Sequence, residues 1–295
     1  MKKILLLGST GMLGWQVLKN LQELKNFKIL ATYKSKVKLS LLRKRVKIKK
    51  NVNFTKFDIN KTVKSNYLNF DFIINCIGTI KPYIDENSQS SIHNAIKVNS
   101  LFPHTLLQVK KNTKIFQIAT DCVFDGKNGN YCESDIHNPE DVYGKTKSLG
   151  EIKAVNFFNI RCSIIGPELS GHKSLLDWFK FLPTNSKAFG FKNHNWNGVT
   201  TNAFGKAICG IIKDDIKLPK LIHLIPKNQL NKFELLKVFK KFLLRSDIKL
   251  KPKNSNVKIN RTLKTSHKIL NNKIWKSAGY KNTPTIEFLL RETID

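Results

Sequence analysis

The sequence predicts an α/β fold with a doubly wound parallel sheet and a smaller C-terminal lobe. Two observations predict it. In the first 165 residues, short and continuous apolar runs alternate with segments of helical spacing, which is the pattern of a parallel sheet covered by helices on both faces. The first apolar run also leads directly into a glycine-rich turn and then a helix, the local order found in Rossmann folds.

The strands of this sheet are expected where the apolar runs do not alternate with polar residues. They are Ile4–Leu7, Phe27–Thr32, Val52–Phe57, Phe70–Cys76, Ile115–Ala119 and Phe158–Cys162. Helices are expected where apolar residues recur at helical spacing, namely Met12–Leu24, Ser91–Val109 and Tyr143–Val155. The basic stretch from Lys34 to Lys50 is expected to form a solvated loop and a short helix.

The regular pattern ends at Gly166-Pro167, so we predict a Rossmann domain over residues 1–165 and a substrate-binding lobe over residues 166–295. Helices of that lobe are expected at Leu175–Leu182, Lys232–Leu244 and Thr285–Arg291. A helix at Ala203–Ile212 and a strand at Leu221–Ile225 have the character of the first domain. The chain is therefore expected to return to it around residues 199–225.

The composition limits the possible classes of protein. A chain of 295 residues with 41% hydrophobic residues can bury a core and is not disordered. Its net charge of +31 suggests at first a nucleic acid or an anionic membrane as partner. Only six of the 52 basic residues are Arg, however, and Lys is spread along the whole chain, whereas phosphate-binding surfaces favour clustered Arg. A general drift toward Lys explains the charge better, and no nucleic-acid partner is predicted.

The sequence also bears on location and metal binding. No apolar stretch approaches the roughly 20 residues of a membrane-spanning helix, and the apolar run at the N-terminus is too short for a signal peptide. The five Cys residues show neither paired nor metal-ligand spacing, so no metal site is predicted. These features predict a reduced, soluble, cytoplasmic protein without a membrane span.

The glycine-rich turn follows the first strand and has the spacing GxxGxxG over residues 8–14. Glycine permits a tight turn and a close approach of the backbone to a phosphate, and the following helix offers free N–H groups. We predict a dinucleotide pyrophosphate site formed by Gly8, Thr10, Gly11, Met12, Leu13 and Gly14. A glycine-rich turn without a ligand is the alternative.

The end of the second strand indicates which cofactor binds. NAD enzymes usually place an acid there to bind the ribose hydroxyls, but this chain has no acid between Ala31 and Lys36. Lys34 and Lys36 could meet a 2′-phosphate, so NADP(H) is predicted in preference to NAD, although any lysine in so basic a chain can be coincidental. Asp58, just after the third strand, is a candidate for the adenine amino group or for a helix N-cap.

A hydroxyl, a phenol and an amine form the candidate catalytic set. Thr120 ends the fifth strand, and Tyr143 and Lys147 are four residues apart on one helix face. A phenol can donate a proton to a carbonyl oxygen while the nicotinamide delivers a hydride, and a nearby ammonium would lower the pKa of that phenol. The spacing alone is common in a lysine-rich chain, and its position after the glycine turn and Thr120 is what predicts this chemistry.

These segments resemble a known family. The glycine turn, TDCVFDG at residues 120–126 and YGKTKSLGE at residues 143–151 resemble the extended short-chain dehydrogenase/reductases. Among these they are most similar to the branch that contains dTDP-4-dehydrorhamnose reductase. The segments NIRCSIIG at residues 159–166 and INRTLKTS at residues 259–266 resemble the same branch. The resemblance covers nearly the whole chain and is weakest between residues 167 and 260.

The resemblance implies NADPH-dependent reduction of a nucleotide-linked 4-keto-6-deoxy sugar, as in dTDP-rhamnose biosynthesis for cell-surface polysaccharides. It implies that Thr120, Tyr143 and Lys147 are catalytic, with Tyr143 and Lys147 also at the cofactor. Further cofactor contacts are implied at Cys76, Ile77 and Gly78, and substrate contacts at Thr79, Asp121, Cys122, Arg161, Trp196 and Thr200. Asn99 is expected to steady the site, and a homodimer is conceivable because relatives are often dimers.

Departures from the branch pattern leave alternatives open. Cys122 replaces a Tyr of the branch, and the loop from Cys76 to Thr79 replaces an AAxT-type loop. Cys122 disfavours a 4,6-dehydratase, which carries Glu there, but resembles the Cys of bifunctional epimerase–reductases, with His172 or His194 as candidate partners. A buried structural thiol is the other interpretation. A non-catalytic NADP-binding regulatory subunit, as in the related methionine adenosyltransferase, is a further alternative.

Overall fold

The computed structural model describes residues 1–60 and 69–294. Its large sheet has seven strands, all of whose pairs are parallel, in the spatial order β11–β6–β5–β4–β1–β2–β3. In chain order these strands are β1 (Lys2–Leu7), β2 (Phe27–Tyr33), β3 (Val52–Lys56), β4 (Phe72–Asn75), β5 (Lys114–Ala119), β6 (Phe157–Arg161) and β11 (Leu221–His223).

Both faces of this sheet are buried. Successive side chains of a strand point to opposite faces, so one strand contributes to both cores. On β1, Ile4 and Leu6 join the core on one face, and Leu5 and Leu7 join the core on the other. The first face is covered by α1 (Met12–Leu21), α2 (Lys36–Arg45), α7 (Thr201–Lys213) and α9 (Lys268–Ser277). The predicted doubly wound α/β architecture is confirmed.

The long helix expected at Ser91–Val109 is divided. It consists of α3 (Gln89–Ile96), a π-helical turn (Lys97–Leu101) and α4 (Phe102–Thr105). Pro103 explains the interruption, because it has no N–H to donate to the turn before it. The next helix, α5 (Val142–Leu149), ends at Gly150, where a Cβ atom would lie 2.0 Å from the Asn99 carbonyl oxygen.

The second lobe has its own core around Phe179, Trp196, Leu235 and Phe239. Its helices are α6 (Leu175–Lys180), α8 (Lys232–Phe242) and α10 (Ile286–Ile294). Its short strands, with β7 and β10 at the boundary, are β7 (Ile164–Ile165), β8 (Lys187–Phe191), β9 (His194–Trp196), β10 (Val199–Thr200), β12 (Leu230–Asn231), β13 (Lys249–Lys253) and β14 (Ile259–Asn260). The sequence did not predict these strands or α9. Five of the strands have only two or three residues, which is too short for a periodicity, and β8 and β13 have five.

Between α6 and α8 of this lobe, the chain returns to the large sheet and its covering helices. Helix α7 packs against α1, and β11 extends the large sheet next to β6. The lobe is therefore formed by two separate segments of the chain, and the segment between them belongs to the large sheet and its helices.

A buried ion cluster joins β6, β11 and α5 at this point. Arg161 is fully buried, and its guanidinium donates to both carboxylate oxygens of Glu151, at 3.0 Å and 2.6 Å. It also lies 2.8 Å from Nε2 of His223 and 2.6 Å from Nε2 of His137. Since a guanidinium can only donate, both imidazole nitrogens must accept, and the rings are neutral. Burial and then the charge of Arg161 lower the pKa of His223 to about 4, which agrees with a neutral ring.

This cluster predicts a large effect of Arg161→Lys on stability. An ammonium cannot replace the forked donors, so Glu151 would lose a partner in a dry environment. We expect the free energy of unfolding, measured by urea denaturation at pH 7, to fall by about 3 kcal/mol. The matched control is Arg43→Lys, at an exposed position, which should cost less than about 0.5 kcal/mol. Equal losses in the two variants would contradict the role assigned to the cluster.

Candidate functional site

The glycine turn lies between β1 and α1 at the carboxyl edge of the large sheet. Gly8 has a φ of +78°, and a Cβ atom there would lie 2.9 Å from Cγ1 of Ile77. A Cβ atom on Gly14 would lie 2.0 Å from the carbonyl oxygen of Gly8. Gly11 is exposed, and its nearest neighbour would be an ordinary 3.4 Å away. The fold therefore requires Gly8 and Gly14, whereas Gly11 keeps the surface of the turn open.

Thr32, on β2, fixes the turn from below. Its hydroxyl accepts from the Gly8 N–H at 2.9 Å, and its carbonyl accepts from the N–H and the hydroxyl of Ser9, both at 2.9 Å. Helix α1 begins with Gly11 as its N-cap, without a side-chain cap or an acid in its first turn. Its first N–H groups and its positive dipole end are thus available to an anion. This cradle fits a pyrophosphate.

The other candidate cofactor residues surround this turn. Cys76 follows β4 and donates its N–H to the Leu7 carbonyl at 3.0 Å, so that Ile77 lies directly against Gly8. Gly78 is exposed beside them, and Lys34 is exposed just beyond β2. Asp58 is half-buried after β3 and accepts a hydrogen bond from the N–H of Asn60 at 3.0 Å. All these positions follow the carboxyl ends of adjacent strands.

Asn99 ties this edge to α5. Its side chain accepts from the Thr79 N–H at 2.9 Å and donates to the Thr79 carbonyl at 3.0 Å. It also donates to the hydroxyl of Thr146, on α5, at 3.2 Å. Thr79 is thereby held next to the helix that carries Tyr143 and Lys147, through a residue of the π-helical turn.

Helix α5 presents Tyr143 and Lys147 to the end of β5. Its N-cap Asp141 accepts from the Gly144 N–H at 2.7 Å. A Cβ atom on Gly144 would lie 2.2 Å from the Cys122 carbonyl oxygen, so the helix packs closely against the turn after Thr120. The Thr120 hydroxyl lies near the Tyr143 phenol and lowers its pKa. Lys147 donates its Nζ to the Ile118 carbonyl at 2.5 Å. The structure thus brings Tyr143 near Thr120, just after β5, and anchors Lys147 on β5 itself.

The surroundings shift the pKa values of both titratable groups. Burial raises the pKa of Tyr143, the neighbouring Cys122 and Asp121 raise it further, and Thr120 acts in the opposite direction. The lowering expected from the sequence is therefore not produced by the chain's own residues. The phenol stays protonated at neutral pH, which is the form that can donate a proton. Burial lowers the pKa of Lys147 to about 8, against the opposing charge of Glu151.

Asp121 and Cys122 form the turn that faces α5. Asp121 is buried and accepts from the Thr120 hydroxyl at 3.2 Å, and the Cys122 Sγ lies 3.8 Å from the same carboxylate. Burial, followed by the charge of Asp121, raises the pKa of Cys122 to about 12. His172 pairs with Asp177, and His194 with the Val257 carbonyl. In the part of the chain that the structure describes, neither ring contacts Cys122.

Three candidate substrate residues have their polar groups satisfied inside the protein. Arg161 is enclosed in the ion cluster with Glu151 and the two histidines. Trp196 packs in the core of the second lobe and donates to the Ser163 hydroxyl at 2.8 Å. Thr200 is 1% exposed, and its hydroxyl caps α7. Arg161 is fully enclosed and has a structural role, whereas the substrate contacts of Trp196 and Thr200 stay predictions.

Two cations of the second lobe were missed by the sequence analysis. The charges of Arg261 and Lys232 both act on the Asp121 carboxylate and oppose the effect of burial, which raises its pKa. Arg261 lies in the INRTLKTS segment, so the motif was visible, but no role followed from it. Lys232 is one lysine among many in the sequence, and only the fold directs it to this cleft.

Comparison with known proteins adds the family. The family described as RmlD substrate binding domain matches residues 1–165, more than half of the chain. The chain belongs to this family. Among curated relatives, dTDP-4-dehydrorhamnose reductase from Aggregatibacter actinomycetemcomitans is 28% identical over 163 residues, which is 51% of this chain and 46% of that protein. Methionine adenosyltransferase 2 subunit beta from Bos taurus is 29% identical over 181 residues, 60% of this chain and 49% of that protein. The chain thus spans about half the length of the curated relatives it matches.

Solved structures extend the likeness of this RmlD-type chain over its whole length. dTDP-4-dehydrorhamnose reductase from Bacillus anthracis, in complex with NADP, has a TM-score of 0.71 at 16% identity, covering 99% of this chain and 98% of that one. UDP-glucuronic acid 4-epimerase from Bacillus cereus, in complex with UDP-glucuronic acid and NAD, has a TM-score of 0.78 at 16% identity, with the same coverages of 99% and 98%. At such identities the likeness shows the fold.

The following holds for residues 1–60 and 69–294, which the structure describes. No helix in these ranges is long and apolar enough to cross a membrane. No group of three or more His, Cys, Asp or Glu side chains in these ranges could hold a metal ion.

The surroundings of Gly14 and Gly11 predict losses of stability of different size for the same substitution. Gly14→Ala places a methyl group against the backbone of Gly8, so we expect the free energy of unfolding to fall by about 2–4 kcal/mol. Gly11→Ala adds the same methyl group without a clash and should cost about 1 kcal/mol or less. Urea denaturation of both variants beside the wild type measures the difference. A loss as large for Gly11→Ala as for Gly14→Ala would overturn this interpretation of the turn.

Proposed function

We propose that this chain is an NADPH-dependent reductase of a nucleotide-linked 4-keto-6-deoxy sugar, similar to dTDP-4-dehydrorhamnose reductase, in the synthesis of cell-surface polysaccharide precursors. One observation carries the proposal. The anion cradle at Gly11 and the Thr120–Tyr143 pair lie at the carboxyl edge of the same parallel sheet, where α/β proteins of this type bind their ligands. Membership of the RmlD family and the similarity to a reductase over half of the chain support it.

Tyr143, Thr120 and Lys147 have different roles in the proposed reduction. A bound NADPH supplies the hydride that reduces the sugar carbonyl. Tyr143, which burial keeps protonated, donates its phenolic proton to the carbonyl oxygen as negative charge develops there. The Thr120 hydroxyl, which lies near the phenol, is proposed to polarise the same carbonyl oxygen. Lys147, held by the Ile118 carbonyl, supplies a positive charge that stabilises the phenolate left behind.

The proposed cofactor is NADP(H), with Lys34 at its 2′-phosphate. Support for a nicotinamide dinucleotide comes from the cradle at Gly11 and from the two solved structures of this fold, of which one holds NADP and the other NAD. The choice between the two rests on the end of β2, where Lys34 is exposed and no acid is available for ribose hydroxyls.

A non-catalytic regulatory subunit is the second candidate, because methionine adenosyltransferase 2 subunit beta is similar to 60% of the chain. The placement of Tyr143 near Thr120, with Lys147 on the same helix, favours catalysis, since a regulatory subunit has no need of it. Epimerisation through Cys122 is less well supported, because a thiol whose pKa is raised to about 12 is a poor base. Turnover by the wild type decides between the first two.

Tyr143→Phe tests the proton donor. With dTDP-4-keto-6-deoxy sugars as substrates, we expect kcat for NADPH oxidation to fall by about 10²-fold or more, because the phenyl ring has no proton to give. NADPH affinity, measured by nucleotide fluorescence, should stay within about twofold, since the ring remains. Tyr280→Phe, whose phenol bonds Glu292 outside the cleft, is the matched control. Unchanged turnover of Tyr143→Phe would refute the mechanism, and a wild type inactive on every keto sugar tested would favour the regulatory role.

Lys147 predicts a pH dependence. Its pKa in the folded protein, about 8, lies below the usual 10.5, so the ammonium predominates at pH 7 and is lost as the pH rises through 8. If that charge stabilises the phenolate, kcat/KM for keto-sugar reduction should fall above about pH 8. Lys147→Met should be less active and should lack this falling limb. A wild-type profile that stays flat from about pH 7 to 9.5 would contradict the assigned role of Lys147.

A further inference from the structure

The segment between β4 and α3 lies at the carboxyl edge of the large sheet, and we call its residues 80–88 the strap. The strap contains one 3₁₀ turn, Lys81–Tyr83, and ends at Ser88, whose hydroxyl caps α3. The residue before it, Thr79, is held by the side chain of Asn99. Both ends of the strap are thus attached to the first domain.

One side of the strap is bound to the start of α5, the helix that carries Tyr143. The Lys81 ammonium pairs with the Asp141 carboxylate at 2.7 Å. The Glu86 carboxylate accepts a hydrogen bond from the Val142 N–H at 3.1 Å. Asp141 and Val142 are the two residues before Tyr143, so this side of the strap lies next to the reacting end of the site.

The Tyr83 side chain of the strap contacts the loop after β7, residues 166–174. A Cβ atom on Gly171 would lie 2.4 Å from the Tyr83 hydroxyl oxygen, and the Lys173 ammonium lies 4.8 Å from the centre of the Tyr83 ring. Burial, followed by the nearby Glu168 carboxylate, raises the pKa of the phenol. We call this contact of Tyr83 with Glu168, Gly171 and Lys173 the latch.

The loop offers Tyr83 a fixed partner, because its own contacts hold it in place. Glu168 is 5% exposed, and its carboxylate accepts from the Lys173 N–H at 2.9 Å. The Glu168 N–H donates to the Asp177 carboxylate at 2.9 Å, and the His172 ring lies 3.0 Å from the same carboxylate. Tyr83, in contrast, is 44% exposed, so the strap is the part that can move when the latch opens.

The loop of the latch begins beside the pyrophosphate cradle. Trp15, four residues after the N-cap Gly11 of α1, donates its Nε1 hydrogen to the Pro167 carbonyl at 2.9 Å. In the large sheet, β4 lies between β1, which leads into the cradle, and β5, which leads to Thr120. The strap thus connects the Tyr143 end of the site to its pyrophosphate end, along the path of a dinucleotide bound between them.

We propose that the strap is a gate for the cofactor, and that the latch between Tyr83 and the loop at Glu168 opens each time a dinucleotide enters or leaves. This proposal rests on the proposed function, because it takes a nicotinamide dinucleotide to be the ligand of the cradle. A closed strap keeps water from the reacting atoms. The latch and the Lys81–Asp141 pair are partly exposed to solvent, where such contacts are weak enough to break at every turnover.

Stopped-flow fluorescence of NADPH with the full chain tests the gate, because it gives the rate constants of binding and of release without any sugar substrate. Tyr83→Ala removes the latch. We expect both rate constants to rise about fivefold or more while Kd changes less than about twofold, because a gate slows entry and exit alike. The matched control is Phe189→Ala, which removes an exposed aromatic ring of the second lobe outside the latch and should leave both rate constants unchanged.

A second variant keeps the test valid if the first is unstable. Tyr83→Phe retains the ring under Lys173 and removes the hydroxyl beside Glu168 and Gly171, so both rate constants should rise by a smaller factor. Thermal melting checks that each variant is folded, and Tyr83→Phe replaces Tyr83→Ala if that variant melts early. A faster release at an unchanged binding rate constant would make Tyr83 a contact of the bound cofactor and would overturn the gate. Unchanged rate constants would overturn it as well.

This test can fail independently of the proposed reaction. If both rate constants rise in Tyr83→Ala but no keto sugar is reduced by the wild type, the gate stands and the reductase proposal falls. If keto sugars are reduced and the rate constants for NADPH do not depend on Tyr83, the reductase proposal stands and the gate falls. A wild type that binds neither NADPH nor NADH would overturn the gate together with the assigned cofactor.

Discussion

The arrangement of the carboxyl edge of the large sheet depends on the hydrogen bonds of one buried guanidinium, that of Arg161. It lies on β6 and bonds Glu151, just beyond α5, and His223, on β11. Helix α5 carries Tyr143 and Lys147, and β11 is the strand by which the second half of the chain rejoins the sheet. A buried ion pair contributes little net stability compared with apolar packing, but its forked geometry admits one arrangement of its partners. The cluster therefore fixes the position of α5 relative to β11, the strand by which the later part of the chain returns to the sheet.

The same cluster bears on the charge of the candidate catalytic lysine. Glu151 is paired with Arg161 and also acts on Lys147, where it opposes the lowering of the pKa by burial. Without that carboxylate, burial would be opposed less strongly and would move Lys147 further toward the neutral amine. Glu151 thus both pairs with Arg161 and raises the pKa of Lys147. Asn99 plays the parallel role on the other side of α5, where it holds Thr79 to the helix without changing any charge.

A structural feature could be predicted from the sequence when the contacts that determine it lie close together in the chain. The glycine turn was predictable because the close approach of Gly14 to Gly8 is decided within seven residues. Tyr143 and Lys147 were predictable because helical spacing puts them on one face. Arg161 was misjudged because a motif gives a position but not the direction of a side chain, and only the tertiary structure shows it enclosed by His137 and His223. The small strands of the second lobe were missed for a related reason. They are paired by register with distant segments, and no periodicity of their own reveals them.

The high positive charge takes on a different meaning once the fold is known. Most lysines are exposed, where ions at about 0.1 M screen their fields within about 10 Å, so their number indicates little about function. Lys232 and Arg261 differ in their surroundings and not in their chemistry. They are half-buried, they lie next to a buried carboxylate, and no acid in the described part of the chain pairs with them. Because the dielectric constant is lower there, a charge in that cleft acts more strongly on a neighbouring anion than one on the surface. The position of these two cations near Asp121, and not the net charge of the whole chain, thus determines their effect on the candidate site.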